Sequence, residues 1–159
     1  MIDVHVEICR DGVQLPAYAR EGDAGMDVRA AVDVTVAPGA TVIVPTGLKM
    51  AIPAGYEIQV RPRSGLSLKS PLRIPNAPGT IDSGYRDEIG IIVWNSSPDT
   101  PFEIKAGDRI AQLVLQQVPV INFVPVIRSF SSSSSCAFTS SDSFVFFIAC
   151  CVSSAVYAI

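Results

Sequence analysis

The chain of 159 residues carries a formal net charge of −3, four cysteines and a single histidine. That length suits one domain with a sizeable core, and the acidic balance excludes a protein that coats nucleic acid, which would carry a basic patch or stripe. Cys9, Cys136, Cys150 and Cys151 have no paired spacing that reads as a disulfide framework or zinc site, and with His5 alone a metal held by several His or Cys ligands is not expected.

The N-terminal residues Met1-Ile-Asp-Val-His5 show no basic start followed by an apolar run, so no secretory signal is read and the body is expected to be cytosolic. From there to residue 128, short strand-like runs recur with turn signals between them, the all-β pattern. Ala24-Gly-Met-Asp-Val-Arg-Ala30 sets Asp27 inside a short strand after a glycine turn, either as an edge residue satisfied by backbone amides or as a working carboxylate. Runs at 33–37 and 41–44 flank Pro38-Gly39, and runs at 48–52 and 56–61 flank Pro53-Ala-Gly55. In the last of these Tyr56, Ile58 and Val60 alternate with Glu57, Gln59 and Arg61, giving one buried and one wet face.

Arg61-Pro-Arg-Ser-Gly-Leu66 offers two cations, a hydroxyl and a glycine where the chain leaves a strand. A short helical turn is predicted over 64–69, and helix-start amides with Arg and Ser donors suit a cluster of anionic oxygens; a solvated basic loop is the alternative. Asn76-Ala-Pro-Gly-Thr-Ile-Asp-Ser-Gly-Tyr-Arg-Asp-Glu88 then sets Asp82 and Tyr85 on a Pro/Gly-punctuated turn, read as a tight hairpin. A carboxylate three residues from a ring can place a base and a flat stacking surface in one pocket, and Gly79 and Gly84 let the backbone approach a ligand. Asn76 either reads a base edge through its amide or caps the turn.

Residues 88–95 are apolar on both faces and predict a central strand. After a loop at 96–101, strands at 102–104 and 109–118 flank Ala106-Gly-Asp108, and Gln112 stands in the otherwise apolar second one, where it needs hydrogen-bond partners. No window sustains an apolar helical stripe for three turns, so the expected architecture is a β-barrel or jelly roll whose edges close by curling or against neighbouring subunits. From Ser129 to Ile159 the only charge is Asp142, and a serine-rich spacer over 129–143 gives way to sixteen uncharged, mostly apolar residues. The chain is therefore divided at 1–128 and 129–159.

In this order and spacing the segments resemble the trimeric dUTPase family, whose members hydrolyse dUTP to dUMP and pyrophosphate. The resemblance covers roughly residues 1–123 and rests on Ala-Gly-Met-Asp27, Pro-Arg-Ser-Gly65, the Asn76–Glu88 segment and Gly-Asp-Arg-Ile-Ala-Gln112, together in register. It implies an all-β, dUTPase-like β-barrel or distorted jelly roll and a homotrimer whose sites form where subunits meet. It also implies that Asp82 is the base orienting a water on the α-phosphate. Tyr85 is implied as the ring under the deoxyribose, which leaves no room for a 2′-hydroxyl. Asn76 and the backbone from Gly79 through Thr80 and Ile81 to Tyr85 are the implied uracil readers. Arg63, Ser64, Gly65 and Gln112 are the implied phosphate contacts, and Asp27 supports the water shell of a Mg²⁺ ion. The physical demands agree: water attack on a triphosphate needs positioning and charge neutralisation, and Mg²⁺ is usually held by phosphates with few protein ligands.

Two departures qualify the resemblance. Asp87 stands where the family has a glycine, which predicts mild backbone strain. The glycine-rich C-terminal arm of the family, whose Phe stacks on uracil and whose Arg holds the γ-phosphate, is replaced by Arg128-Ser-Phe130 and Ser131–Ser135, with no glycine thereafter. Three readings of the tail stay open: a membrane anchor, for which sixteen residues fall short of the roughly 20 that span a bilayer; a segment packing on the body; or fortuitous sequence from an altered reading frame, favoured by the abrupt change in composition. On the last reading the tail is disordered or aggregation-prone. Turnover is then expected to be impaired, and a catalytically silent binding or regulatory module is the alternative function. A dCTP deaminase of the same fold is disfavoured, because Ile92 stands where that relative places a glutamate three residues before an Asn. Neither nucleic acid nor a membrane is expected as a partner.

Overall fold

A computed structural model describes residues 2–125. Every element described lies in the first of two compact units, Met1–Asn122, and the expectations for 129–159 fall outside the described residues. The strands are β1 (His5–Ile8), β2 (Ala17–Tyr18), β3 (Met26–Arg29), β4 (Val34–Val36), β5 (Thr41–Pro45), β6 (Leu48–Ala51), β7 (Tyr56–Arg61), β8 (Leu72–Arg73), β9 (Gly79–Ile81), β10 (Gly90–Asn95), β11 (Phe102–Ile104) and β12 (Arg109–Gln117). A single helix, α1 (Ser64–Lys69), interrupts them, with Arg63 in extended geometry at its start. The all-β expectation holds, and α1 falls where the short helical turn was predicted.

The largest sheet has the order β2-β3-β12-β7-β9, and a second one has β5-β10-β8. The pairs β1-β6 and β11-β4 complete the described ladders. All are antiparallel. Between the sheets the β-branched and leucine side chains of alternate positions meet: Val28, Val36, Val44, Leu48, Ile58, Ile91, Val93, Ile104 and Leu113 are fully buried. Strand β7 alternates in part as its sequence predicts, with Ile58 and Val60 buried and Arg61 exposed but Tyr56, Glu57 and Gln59 all half-buried. Strand β10 is central in its sheet, but its second face is uncovered: Trp94 is 38% exposed, and Ile43, opposite Ile92, is 67% exposed.

One expectation is corrected. The Asn76–Glu88 segment is not a hairpin, because β9 pairs with β7 and β10 pairs with β5 and β8. The segment crosses from one sheet to the other. Its leading leg is fixed by Val60↔Gly79 pairing on β7. Its trailing leg is fixed by Ile89, which donates to the Leu48 carbonyl at 2.8 Å and accepts from the buried Thr46 hydroxyl at 2.7 Å. The loop is thus spanned between sheets, which is what holds open a concavity beside β9.

Candidate active site

The concavity measures about 200 Å³ and is lined by Val60, Asn76, Gly79, Thr80, Ile81, Tyr85, Ile89, Gly90 and Ile92. Its walls are apolar apart from the Asn76 amide, the Thr80 hydroxyl, the tip of Tyr85 and backbone groups. No carboxylate lines it. Gly79 is buried because Asn76 folds back on it: a Cβ there would stand 3.0 Å from Asn76 Nδ2 and 3.4 Å from Val60 Cβ. A Cβ at Gly84, by contrast, would meet open space. Within the described chain, then, the close approach is at Gly79, and it is made to the chain's own amide.

Tyr85 stands at the rim, 40% exposed. Its backbone N–H donates to the Asp82 carbonyl at 3.0 Å, closing a turn, and its hydroxyl donates to the Glu88 carbonyl at 3.1 Å. Those two bonds hold the ring from its root and its tip. Asp82 follows Ile81 directly and is exposed, and its carboxylate has no hydrogen-bond partner among the described residues. Asp87 lies in an exposed bend just before the strand leg.

A second group gathers on β3, β12 and the start of α1. The Asp27 carboxylate accepts from Arg63 Nε at 2.8 Å and Arg63 Nη2 at 3.4 Å, from Arg109 Nη1 at 3.2 Å and from Gln112 Nε2 at 3.4 Å. The Asp27 side chain is only 14% exposed. Burial pushes its carboxyl up, but the hydrogen bond and charge of Arg63, with the charge of Arg109 and the amide of Gln112, outweigh burial and hold it below the ordinary carboxylate range. Of the two sequence alternatives for Asp27, backbone capping is not what is found: its partners are side chains, two arginines and the Gln112 amide. Gln112 finds the partner its half-buried position requires. Ser64 and Gly65, at the start of α1, are exposed beside this cluster.

The two groups belong to one sheet without touching. The pairings Asp27↔Gln112↔Arg61 and Val60↔Gly79 put β12 and β7 between β3 and β9. At the usual strand spacing this is three steps, about 14 Å across the sheet. The fold thus brings together Asp27, Arg63 and Gln112, and separately Asn76, Gly79, Thr80, Ile81 and Tyr85 with Asp82 adjoining. Among the described residues no group of three His, Cys, Asp or Glu side chains converges to hold a metal. The site also includes residues to which the sequence assigned no role. Arg109 is one: three positions before Gln112, it would face the opposite side of a regular strand. A register shift between Arg109 and Ala111 restores it to Asp27's side.

The dUTPase family profile matches residues 11–138, extending beyond the boundary drawn at 128. The deoxyuridine 5'-triphosphate nucleotidohydrolase of Fusobacterium nucleatum is 50% identical over 79% of this chain and 88% of its own length. That of Roseobacter denitrificans is 54% identical over 70% of this chain and 74% of its own. Among solved structures, a mutant dUTPase of phage phi11 of S. aureus, studied for its coordination of a structural Mg(II) ion, superposes with a TM-score of 0.73 at 25% identity, covering 78% of this chain and 96% of that one. By the profile match over most of its length and by identities of about half with these nucleotidohydrolases, the chain belongs to the dUTPase family.

Proposed function

We propose that this chain is a dUTP diphosphatase, acting as a homotrimer that hydrolyses dUTP to dUMP and pyrophosphate with Mg²⁺. The observation that carries the reading is the cavity beside β9: Asn76, Gly79, Thr80, Ile81 and Tyr85 line one space of about 200 Å³, and Asp82 adjoins it. A planar base of pyrimidine size fits such a slot, reached by the Asn76 amide and by strand-end backbone groups. Apolar walls reject a base whose polar groups find no partner, since an unmet buried donor or acceptor costs about 1–3 kcal/mol. The Tyr85 ring at the rim excludes a 2′-hydroxyl by filling its place.

In this reading a water molecule gives its proton to the Asp82 carboxylate as its oxygen attacks the α-phosphorus. The bond from that phosphorus to the bridging oxygen breaks and pyrophosphate leaves. Arg63, Ser64, Gly65 and Gln112 bind phosphate oxygens, and Asp27 holds Arg63 in the orientation its fork requires. The donor set fits an ion bound chiefly by phosphates and water, with Asp27 reaching it through water. Mg²⁺ so bound neutralises charge building on the phosphates.

The separation of the two residue groups across one sheet supports a site completed by a neighbouring subunit, as does the uncovered apolar face of β5 and β10. The sequence of residues 129–159, which lacks the glycine-rich arm, favours reduced turnover. It is also the observation behind the second reading, a silent dUTPase-like module that binds without turnover. No helix among the described residues is long and apolar enough to cross a membrane, and a cytosolic enzyme is proposed. The lining of the cavity by Ile92, with no acid beside it, speaks against deamination of dCTP. Pyrophosphate release with Mg²⁺ from dUTP, dCTP and UTP in parallel tests the reading. Release is expected from dUTP alone, and Asp82→Asn is expected to cut it at least about a thousandfold with the fold intact. A folded trimer releasing nothing from dUTP overturns the enzyme reading in favour of the silent module.

A further inference from the structure

We infer that Arg10 and Glu88 are positioning residues for Tyr85, fixing the loop that carries its ring and through it the discrimination between deoxyribose and ribose. The inference rests on the dUTP reading and extends it to a pair of residues given no role there.

Glu88 ends the loop that begins at Asp82, and three separate parts of the chain converge on it. Arg10, just past β1, donates from Nε to Glu88 Oε1 at 2.6 Å and from Nη2 to Oε2 at 2.8 Å, a two-pronged fork across 78 residues of sequence. The backbone N–H of Gly47 donates to the same Oε1 at 2.7 Å. The Glu88 carbonyl accepts the Tyr85 hydroxyl at 3.1 Å. The ring's tip is therefore tied to a residue whose side chain is clamped from two sides.

The packing around the clamp leaves it little play. Gly47 has φ of +71°, and a Cβ there would stand 2.5 Å from Val13 Cγ2 and 3.2 Å from Arg10 Cβ. A side chain at Gly47 would displace Val13 and press on Arg10, so glycine there keeps Arg10 packed against the turn whose amide meets Glu88. Tyr85 is 40% exposed, so burial does not fix its ring. What fixes it is the bond to Glu88 and the path of the loop. The pair is itself partly exposed, at 42% for Arg10 and 24% for Glu88, and a pair of that kind adds little to global stability. Its loss falls on the ring's position and leaves the core alone. A ring free to shift away from the sugar opens room for a 2′-hydroxyl, and ribose is no longer turned away.

The test compares the ratio of kcat/KM for dUTP over UTP in the parent, Arg10→Gln, Arg10→Lys and Glu88→Gln. In parallel, Kd for dUMP and UMP is measured by calorimetry, which needs no turnover. The ratio is expected to fall about tenfold in Arg10→Gln and Glu88→Gln, with Arg10→Lys intermediate because one of the two prongs survives. The fall comes chiefly from improved use of UTP, with Tm within about 3 °C of the parent. A merely structural pair would lower Tm and both activities together and leave the ratio unmoved. Either Gln variant, folded and with a ratio within about twofold of the parent, overturns the inference while leaving the dUTP reading intact. A parent that discriminates neither triphosphates nor monophosphates overturns both.

Discussion

Asp27 concentrates the electrostatics of the cluster proposed to hold the phosphates. Its carboxylate is largely buried, yet it is ionised because Arg63, Arg109 and Gln112 all donate to it. Removing one cation of such a group leaves the other members paired, whereas removing the carboxylate leaves two guanidinium groups facing each other. The folded pKa of Asp27 lies below the ordinary value. Its contribution to stability is therefore complete above the unfolded carboxylate value, about 4, and is lost as pH falls through the lower folded value. Glu88, depressed by its hydrogen bond with Arg10, acts in the same direction. Urea midpoints taken from pH 7 down to pH 3 are expected to fall below about pH 4, with a shallower fall in Asp27→Asn; equal slopes would remove Asp27 from the linkage. Single residues were only partly legible in the sequence. Asp27 and Arg63 were each legible as chemistry, but as two tasks, because nothing in a linear chain says that residues 36 apart share one ion pair. Arg10 and Glu88 gave no signal at all, since an Arg and a Glu 78 positions apart look like any two surface charges.

Among the elements, β9 and the loop after it decide what the cavity can hold. On β9 itself Gly79 is tight: an added Cβ at 3.0 Å forces the Asn76 amide to yield by a few tenths of an ångström. Asn76 is exposed enough to move, so the fold survives and the amide loses its aim. Gly79→Ala is expected to raise KM for dUTP about tenfold, the worth of one misplaced hydrogen bond, with kcat and Tm changed far less. Steady-state kinetics with a thermal melt check this; an unchanged KM would show that the Asn76 amide does not read the base. Strand positions were legible to within a residue or two wherever Pro and Gly punctuated them, as at Pro53-Ala-Gly55, and α1 was legible from Arg63-Ser-Gly-Leu66. Pairing was not. The Asn76–Glu88 segment carries the turn residues of a hairpin, but whether its two legs pair with each other or with β7 and β5 depends on partners dozens of residues away. Those partners are chosen by burial of whole faces.

At the scale of the whole molecule, the described chain leaves Ile43, Trp94, Leu15, Tyr18, Val118, Val120 and Ile121 exposed. The same chain keeps the Asp27–Arg63 cluster three strands from the cavity beside β9. The proposed trimer would account for both facts if one subunit's cluster faced the next subunit's cavity. Composition and strand pattern made the all-β class legible, but subunit contacts are written only as unexplained apolar residues on edges and outer faces. Complementation of two inactive variants tests this most directly. Asp82→Asn lacks the proposed base and Arg63→Gln the proposed phosphate cradle, and each alone is expected to release almost no pyrophosphate from dUTP. Refolded together at equal amounts, they are expected to recover about a quarter of the parent rate, because one site in four of a randomly mixed trimer draws both intact residues from different subunits. Mixed trimers as inactive as either variant alone, from a parent that is active, would contradict the shared site.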